Sequence, residues 1–235
     1  MRSITKLAFG LAVTLPVQAM EQHMDAMPVA KLAVDHLEQR FDGDDQALSW
    51  ELEGTYGNDL HKAVLKSSGE RADGGPTDSS ETQLLYRRQA SDFFDWQAGI
   101  RHDDQPGPAR SYAVLGLKGL APQWIEVDAN LFVSERGDPS LRVEAEYELL
   151  LTQRWVLEPK LEYDLALADD RDLGIGAGGS TLETGLRLNY RVSPQFSPYV
   201  GYVWEKTYGR SGDWLRAEGE HDEEGVWVLG LRFWL

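Results

Sequence analysis

The apolar and polar positions of this chain alternate with a period of two along most of its length. Between 141 and 151, Leu141, Val143, Ala145, Tyr147, Leu149 and Leu151 alternate with Arg142, Glu144, Glu146 and Glu148, which gives an extended segment one apolar and one charged face. The next segment sets Trp155, Leu157, Leu161, Tyr163, Leu165 and Leu167 against Glu158, Lys160, Glu162 and Asp164. Ile125, Val127, Ala129, Leu131 and Val133 oppose Glu126, Asp128 and Asn130, and Leu182, Leu186, Leu188, Tyr190 and Val192 oppose Glu183, Arg187, Asn189 and Arg191. Helical spacing would scatter these sets around a cylinder.

The pattern predicts strands over 31–41, 48–57, 60–69, 81–90, 93–103, 110–120, 123–134, 139–152, 154–168, 180–192, 196–208 and 225–235, about twelve in all. The first is also compatible with a short helix. Tight turns at 58–59, 91–92, 121–122 and 193–195 alternate with longer polar loops at 70–80, 104–109, 169–179 and 209–224. A soluble sandwich would turn the apolar faces inward. The alternation of short and long connections favours instead an all-β, antiparallel, up-and-down transmembrane β-barrel. Most segments also reach the roughly 9 to 11 residues that a tilted spanning strand needs. Trp124, Trp155, Tyr199, Trp204, Tyr208 and Trp227 fall near strand ends, where aromatic rings prefer the membrane interface. An even strand number places both ends in the periplasm, with short turns there and long loops outside. The closing run Trp227, Leu229, Leu231, Phe233 and Leu235 resembles a barrel-assembly signal, although such signals usually end in an aromatic residue.

At the start, Arg2 and Lys6 precede an apolar run from 7 to 17 that ends in Val17, Gln18 and Ala19. This is the pattern of a signal peptide over 1–19, cleaved before Met20. A tail over 20–29 follows, then the barrel over 30–235. No later run approaches the roughly 20 apolar residues of a spanning helix.

Composition narrows the chemistry. The chain has no cysteine, so a metal must be held by His, Met or carboxylate. A formal net charge of -16 and a pI near 4.7 exclude nucleic acid as a partner, because such a chain repels phosphates. Mean hydropathy of -0.43 remains compatible with a barrel, which meets lipid only at every second residue.

Seven collinear stretches, WELEG at 50–54, LKSSGE at 65–70, YAVLGLKGLAP at 112–122, EAEYELLLTQR at 144–154, GIGAG at 174–178, PYVGYVWE at 198–205 and RFW at 232–234, resemble the copper resistance protein B family of outer-membrane proteins. The resemblance implies a protein of the cell outer membrane, in contact with its lipid, that binds or exports copper ions, usually alongside a periplasmic multicopper oxidase. Copper is then a ligand or cargo rather than a catalytic cofactor. Family members often carry a Met- and His-rich segment after the signal peptide, here reduced to Met20, His23, Met24 and Met27.

Copper(I) favours thioether and imidazole, copper(II) imidazole with oxygen donors. His23, Met24 and Met27 offer the first set. His102, Asp103 and Asp104 at a strand end, and His221 followed by Asp222, Glu223 and Glu224, offer the second, although each also fits a solvated acidic rim. His36, beside Asp35, and His61 are weaker candidates. The row Glu144, Glu146 and Glu148 faces Glu158, Lys160, Glu162 and Asp164. Such rows usually fill a lumen as a charge-paired network, the alternative being a carboxylate lining that favours cations. No His is followed two residues later by Ser, as a local acid-base pair on one strand face would require, so no enzyme is expected. The Gly-rich stretch 174–179 lies between strands and reads as a flexible external loop rather than a phosphate cradle. The expected function is copper resistance by binding or export. The alternative is a general barrel for small cations or other solutes.

Overall fold

The computed structural model describes residues 28–235 apart from positions 44, 76 and 106. The expected signal peptide and most of the tail, with His23, Met24 and Met27, lie outside the described residues. Thirteen strands pair antiparallel in chain order: β1 (Val29–Asp42), β2 (Asp45–Gly57), β3 (His61–Ala72), β4 (Thr77–Gln89), β5 (Phe94–Asp104), β6 (Arg110–Ala121), β7 (Ile125–Ser134), β8 (Pro139–Glu146), β9 (Leu149–Leu150), β10 (Trp155–Ala166), β11 (Ser180–Tyr190), β12 (Phe196–Tyr208) and β13 (Glu223–Trp234). β8 and β9 both pair with β10 and form one interrupted stave, so the sheet has twelve staves. β13 pairs with β1, Ala33 opposite Trp234 and Phe41 opposite Trp227, and the sheet closes with no free edge. Among the described residues no helix is long and apolar enough to cross a membrane.

The period-2 pattern now has a direction. Ile100 is 63% exposed on the outer surface while Leu85 is 2% exposed in the lumen, and Leu65, Leu84, Leu115, Leu186 and Leu229 join Ile100 outside. Polar backbone groups cannot remain unpaired in hydrocarbon, and closure lets each stave pair with a neighbour on both sides. Val64, Leu85, Val114 and Phe132 pack together inside one half of the barrel, with Tyr112 against them. Arg101 lies over the Tyr112 and Phe132 rings at 5.0 and 4.6 Å. A second inward cluster joins Tyr199, Val203, Val226 and Val228. Tyr199 therefore departs from the expected aromatic girdle. It is 3% exposed and donates its hydroxyl to Glu38 at 3.0 Å, whereas Trp124, Trp155, Tyr208 and Trp227 are exposed on the outside.

Short polar side chains set the tight turns. Asn58 Oδ1 accepts from the backbone N–H groups of Leu60 and His61, Ser91 Oγ from Phe93 and Phe94, and Thr152 Oγ1 from Arg154 and Trp155. Each replaces a ladder bond that the reversing chain lacks. At the other end, the loop expected over 70–80 is much shorter, because β3 and β4 continue pairing to Arg71 opposite Thr77. Those residues are polar on both faces, so no alternation marks them. The loop over 209–224 contains a helix, α1 (Gly209–Glu218), closed by Gly219 at φ 85. The Gly-rich stretch is docked on it rather than free: Gly176 N–H donates to Ser211 Oγ at 3.0 Å. A Cβ at Gly179 would lie 2.2 Å from that oxygen.

Candidate functional site in the barrel lumen

β1 is where the regular alternation fails. Val34 pairs with Leu52 and His36 with Glu51, leaving Asp35 as the extra residue of a β-bulge. A bulge lets two successive side chains turn to the same side. Asp35 and His36 both line lumen cavities, and Glu38 and Arg40 continue the inward set beyond the bulge. His36 is buried. Its Nδ1 lies 3.0 Å from Glu51 Oε2 and its Nε2 3.3 Å from Glu158 Oε1, so it bridges carboxylates on opposite walls.

Around it the lumen is a network of paired charges. Glu38 accepts from Arg187 Nε and Nη2 at 3.0 and 3.1 Å. Glu53 accepts two bonds from Arg87 at 2.7 and 2.9 Å. Lys66 reaches Asp128 at 3.0 Å and Lys160 reaches Glu51 at 2.9 Å. Arg142 reaches Glu81 at 3.1 Å and Asp164 at 2.9 Å. The paired rows expected from sequence are present, but they do not fill the barrel. Four cavities lie in series. A vestibule of 560 Å³ at the periplasmic turn 193–195 shares Lys31 and Arg232 with an inner chamber of 340 Å³. That chamber shares Glu51, Lys66, Glu144 and Lys160 with a central one of 360 Å³. The central chamber shares Arg40, Glu70 and Glu205 with one of 460 Å³ at the external mouth.

At the vestibule floor, Glu146, Glu148 and Glu158 each place a carboxylate oxygen within 4.8 Å of the others. Arg232 Nη1 lies 3.5, 3.1 and 2.5 Å from the three in that order, and Arg191 holds Glu148 at 2.7 Å. The external mouth is tied differently: Arg110 binds Asp170 at 2.9 Å and Asp172 at 3.3 Å, while Arg136 binds Asp172 at 2.7 Å. The hydrogen bonds from Arg110 hold the Asp170 carboxyl below the usual aspartate range.

The residues singled out from sequence fall elsewhere. His102 and Asp103 are on opposite faces of β5. His102 is exposed and 3.0 Å from Ser111 Oγ, whereas Asp103 is buried against Arg101 at 2.6 Å and Asp104 is exposed. The same alternation that makes the strand turns Asp103 inward, away from His102 and Asp104, so the three do not share a site. His221 is exposed, and neighbouring Asp222 is paired with Arg216. His61 is exposed and bonded to Tyr86. The cluster that the fold assembles, His36 with Glu51 and Glu158, draws on three strands up to 122 positions apart.

Comparison with known proteins agrees with this architecture. The family described as copper resistance protein B precursor matches residues 29–235. A copper resistance protein B homolog of Pseudomonas syringae pv. tomato is 40% identical over 200 residues, covering 85% of this chain and 68% of that protein. Copper resistance protein B of Escherichia coli is 37% identical over 201 residues, 86% of this chain and 68% of that one. Among solved structures, the NanC porin aligns with a TM-score of 0.54 at 13% identity, over 87% of this chain and 99% of the porin. A structure from a study of in-meso membrane-protein crystallization aligns at 0.53, 12% identical, over 88% and 83% of the two chains. These likenesses are of fold.

Proposed function

The chain belongs to the copper resistance protein B family and is an outer-membrane β-barrel involved in copper resistance; from that premise we propose that its lumen is the route or store through which copper ions are bound and moved, without a catalytic centre. The observation that carries this is the series of carboxylate-lined chambers from the periplasmic vestibule to the external mouth, with His36 between Glu158 and Glu51 near its middle. Excess carboxylate lowers the energy of a cation inside a low-dielectric wall, and separated sites let it leave again. The lumen donors are oxygen and imidazole, the set that suits copper(II). His23, Met24 and Met27 at the tail offer softer donors for copper(I), so the two oxidation states would be received in different places. A periplasmic multicopper oxidase, which converts the softer ion to the harder one, is the partner that fits this division. His102, Asp104 and His221 are left as rim residues that concentrate cations at the external face, whereas Asp103 belongs to the paired lumen network.

The test is equilibrium binding of copper, zinc and magnesium to the purified mature protein, paired with release of each ion from protein-containing vesicles. Copper is expected to bind more tightly and to leave the vesicles faster than the others. Removing 20–27 should lower copper(I) binding while leaving copper(II) release intact. Equal and weak handling of the three metals would refute the copper-specific reading in favour of a general cation barrel.

A further inference from the structure

The vestibule floor has the geometry of an ion site with a protein cation in it. A single nitrogen, Arg232 Nη1, is within 3.5 Å of Glu146, Glu148 and Glu158, the place that a metal bound by all three carboxylates would take. Two further donor side chains lie against Glu158. His36 Nε2 lies against Glu158. Asn189, 4% exposed on the vestibule wall, donates to Glu158 through Nδ2 at 3.3 Å, yet its Oδ1 has no hydrogen-bond partner. A buried amide oxygen without a donor costs free energy unless a ligand satisfies it, and an amide oxygen is a metal ligand.

We infer that Glu146, Glu148 and Glu158, completed by His36 and Asn189, form a divalent-cation site that Arg232 occupies as a tethered cation until the ion displaces it. Charge selects the valence. The three carboxylates pair with Arg232 and Arg191, and this ion-paired set carries one negative charge in excess. When Arg232 withdraws, a divalent ion brings the site to neutrality, whereas a monovalent ion leaves the excess in place. The displaced guanidinium has somewhere to go: Arg232 also lines the inner chamber, where Asp35 makes no ion pair among the described residues. Exchange therefore couples filling of the site to movement of a side chain that lines both vestibule and inner chamber. The inference rests on the proposal that copper passes through the lumen, and it names copper(II) as the ion, because a mixed imidazole and oxygen set favours it over magnesium and over copper(I).

The experiment uses the mature protein in detergent, with copper(II) alone as probe and magnesium as comparator. Replacing Arg232→Met removes the competitor and is expected to tighten copper(II) by about tenfold or more, against little change for Arg232→Lys. The electron paramagnetic resonance spectrum of the filled site should show one coordinated nitrogen that His36→Gln abolishes. Unchanged affinity in Arg232→Met, or a nitrogen signal that survives His36→Gln, would overturn the inference. If Arg232→Met fails to assemble, Asn189→Leu decides: it removes the orphaned oxygen, leaves every ion pair in place, and must weaken copper(II) several-fold. Copper release from vesicles reports on the broader proposal separately. Release that persists with unaltered Arg232→Met affinity defeats the exchange site alone, whereas absence of release with tightened affinity defeats the passage.

Discussion

Glu38 offers a quantitative test of how the lumen is held together. It is 1% exposed, and Arg187 opposite it is 2% exposed. Its two oxygens accept from Arg187 at 3.0 and 3.1 Å, from Tyr199 at 3.0 Å and from Arg40 at 3.3 Å. Replacing Glu38→Ala strands the Arg187 guanidinium, whose Nη1 already lacks a partner. Breaking a buried pair from one side costs about 3 to 5 kcal/mol. The central chamber touches both residues, so water can re-solvate part of the freed charge and about 3 kcal/mol is the better expectation. Glu38→Gln keeps an acceptor for Tyr199 and one guanidinium N–H, and should cost about 2 kcal/mol.

The double variant Glu38→Ala with Arg187→Met separates pairing from packing. Removing both charges leaves no stranded ion, so it should recover to within about 1 kcal/mol of the native barrel. The assay is reversible urea unfolding in lipid vesicles followed by tryptophan fluorescence, with a heat-modifiability gel to confirm closure. A loss under about 1 kcal/mol for Glu38→Ala, or a double variant as unstable as the summed single ones, would show that the pair is solvated and that the network does not brace the walls.

Three further outcomes follow from the same geometry. Val143→Arg on the lipid face should destabilise the barrel by about 2 to 4 kcal/mol at mid-membrane, whereas lumenal Glu144→Gln should assemble normally; equal assembly in a folding assay would reverse the inside and outside faces. Gly230→Ala places a Cβ 2.4 Å from the Tyr199 ring and should cost about 1 to 3 kcal/mol by overpacking, read by the same urea unfolding, with Tyr199→Leu relieving it. At the external mouth, the lowered pKa of Asp170 means that its pairing with Arg110 stabilises the loops above the ordinary aspartate range and is lost as pH falls through the depressed value. Hydrogen exchange of residues 167–179 should therefore rise on strong acidification, and Asp170→Asn should remove that step; a pH-independent profile in the native protein would refute it.

The barrel was legible because one physical requirement governs nearly every position: lipid outside and charge inside force a period of two, and Leu141 to Glu148 display it without interruption. Legibility failed where that requirement lapses. β3 and β4 extend beyond the apolar belt as Glu70, Arg71 and Thr77, where both faces are wet and alternation carries no information. Residue type alone places Tyr199 at the interface, but Gly230 opposite it leaves space for the ring to turn inward. Even the charged rows were readable as lumen, while the chambers between them depend on which side chains lean toward which wall.

The site was hidden for a single local reason. His36 sits next to Asp35, and in a regular strand the two would face opposite ways, so neither reads as part of an inward set. The bulge between Val34 and His36 puts both inside. That same irregularity made β1 the weakest strand of the pattern. It also has a functional consequence: without the extra residue, a strand in register with Val34 would turn either Asp35 or His36 toward lipid. The lumen would then lose either the imidazole that joins Glu51 to Glu158 or the carboxylate available to a displaced Arg232. Deleting Asp35 should restore regular pairing between β1 and β2 with His36 still opposite Glu51, while removing the carboxylate available to a displaced Arg232. A barrel that closes normally but releases copper(II) more slowly is the expected result, because Arg232 then has no free carboxylate to move to, and undiminished copper(II) handling by that variant would show that the bulge has only a structural role.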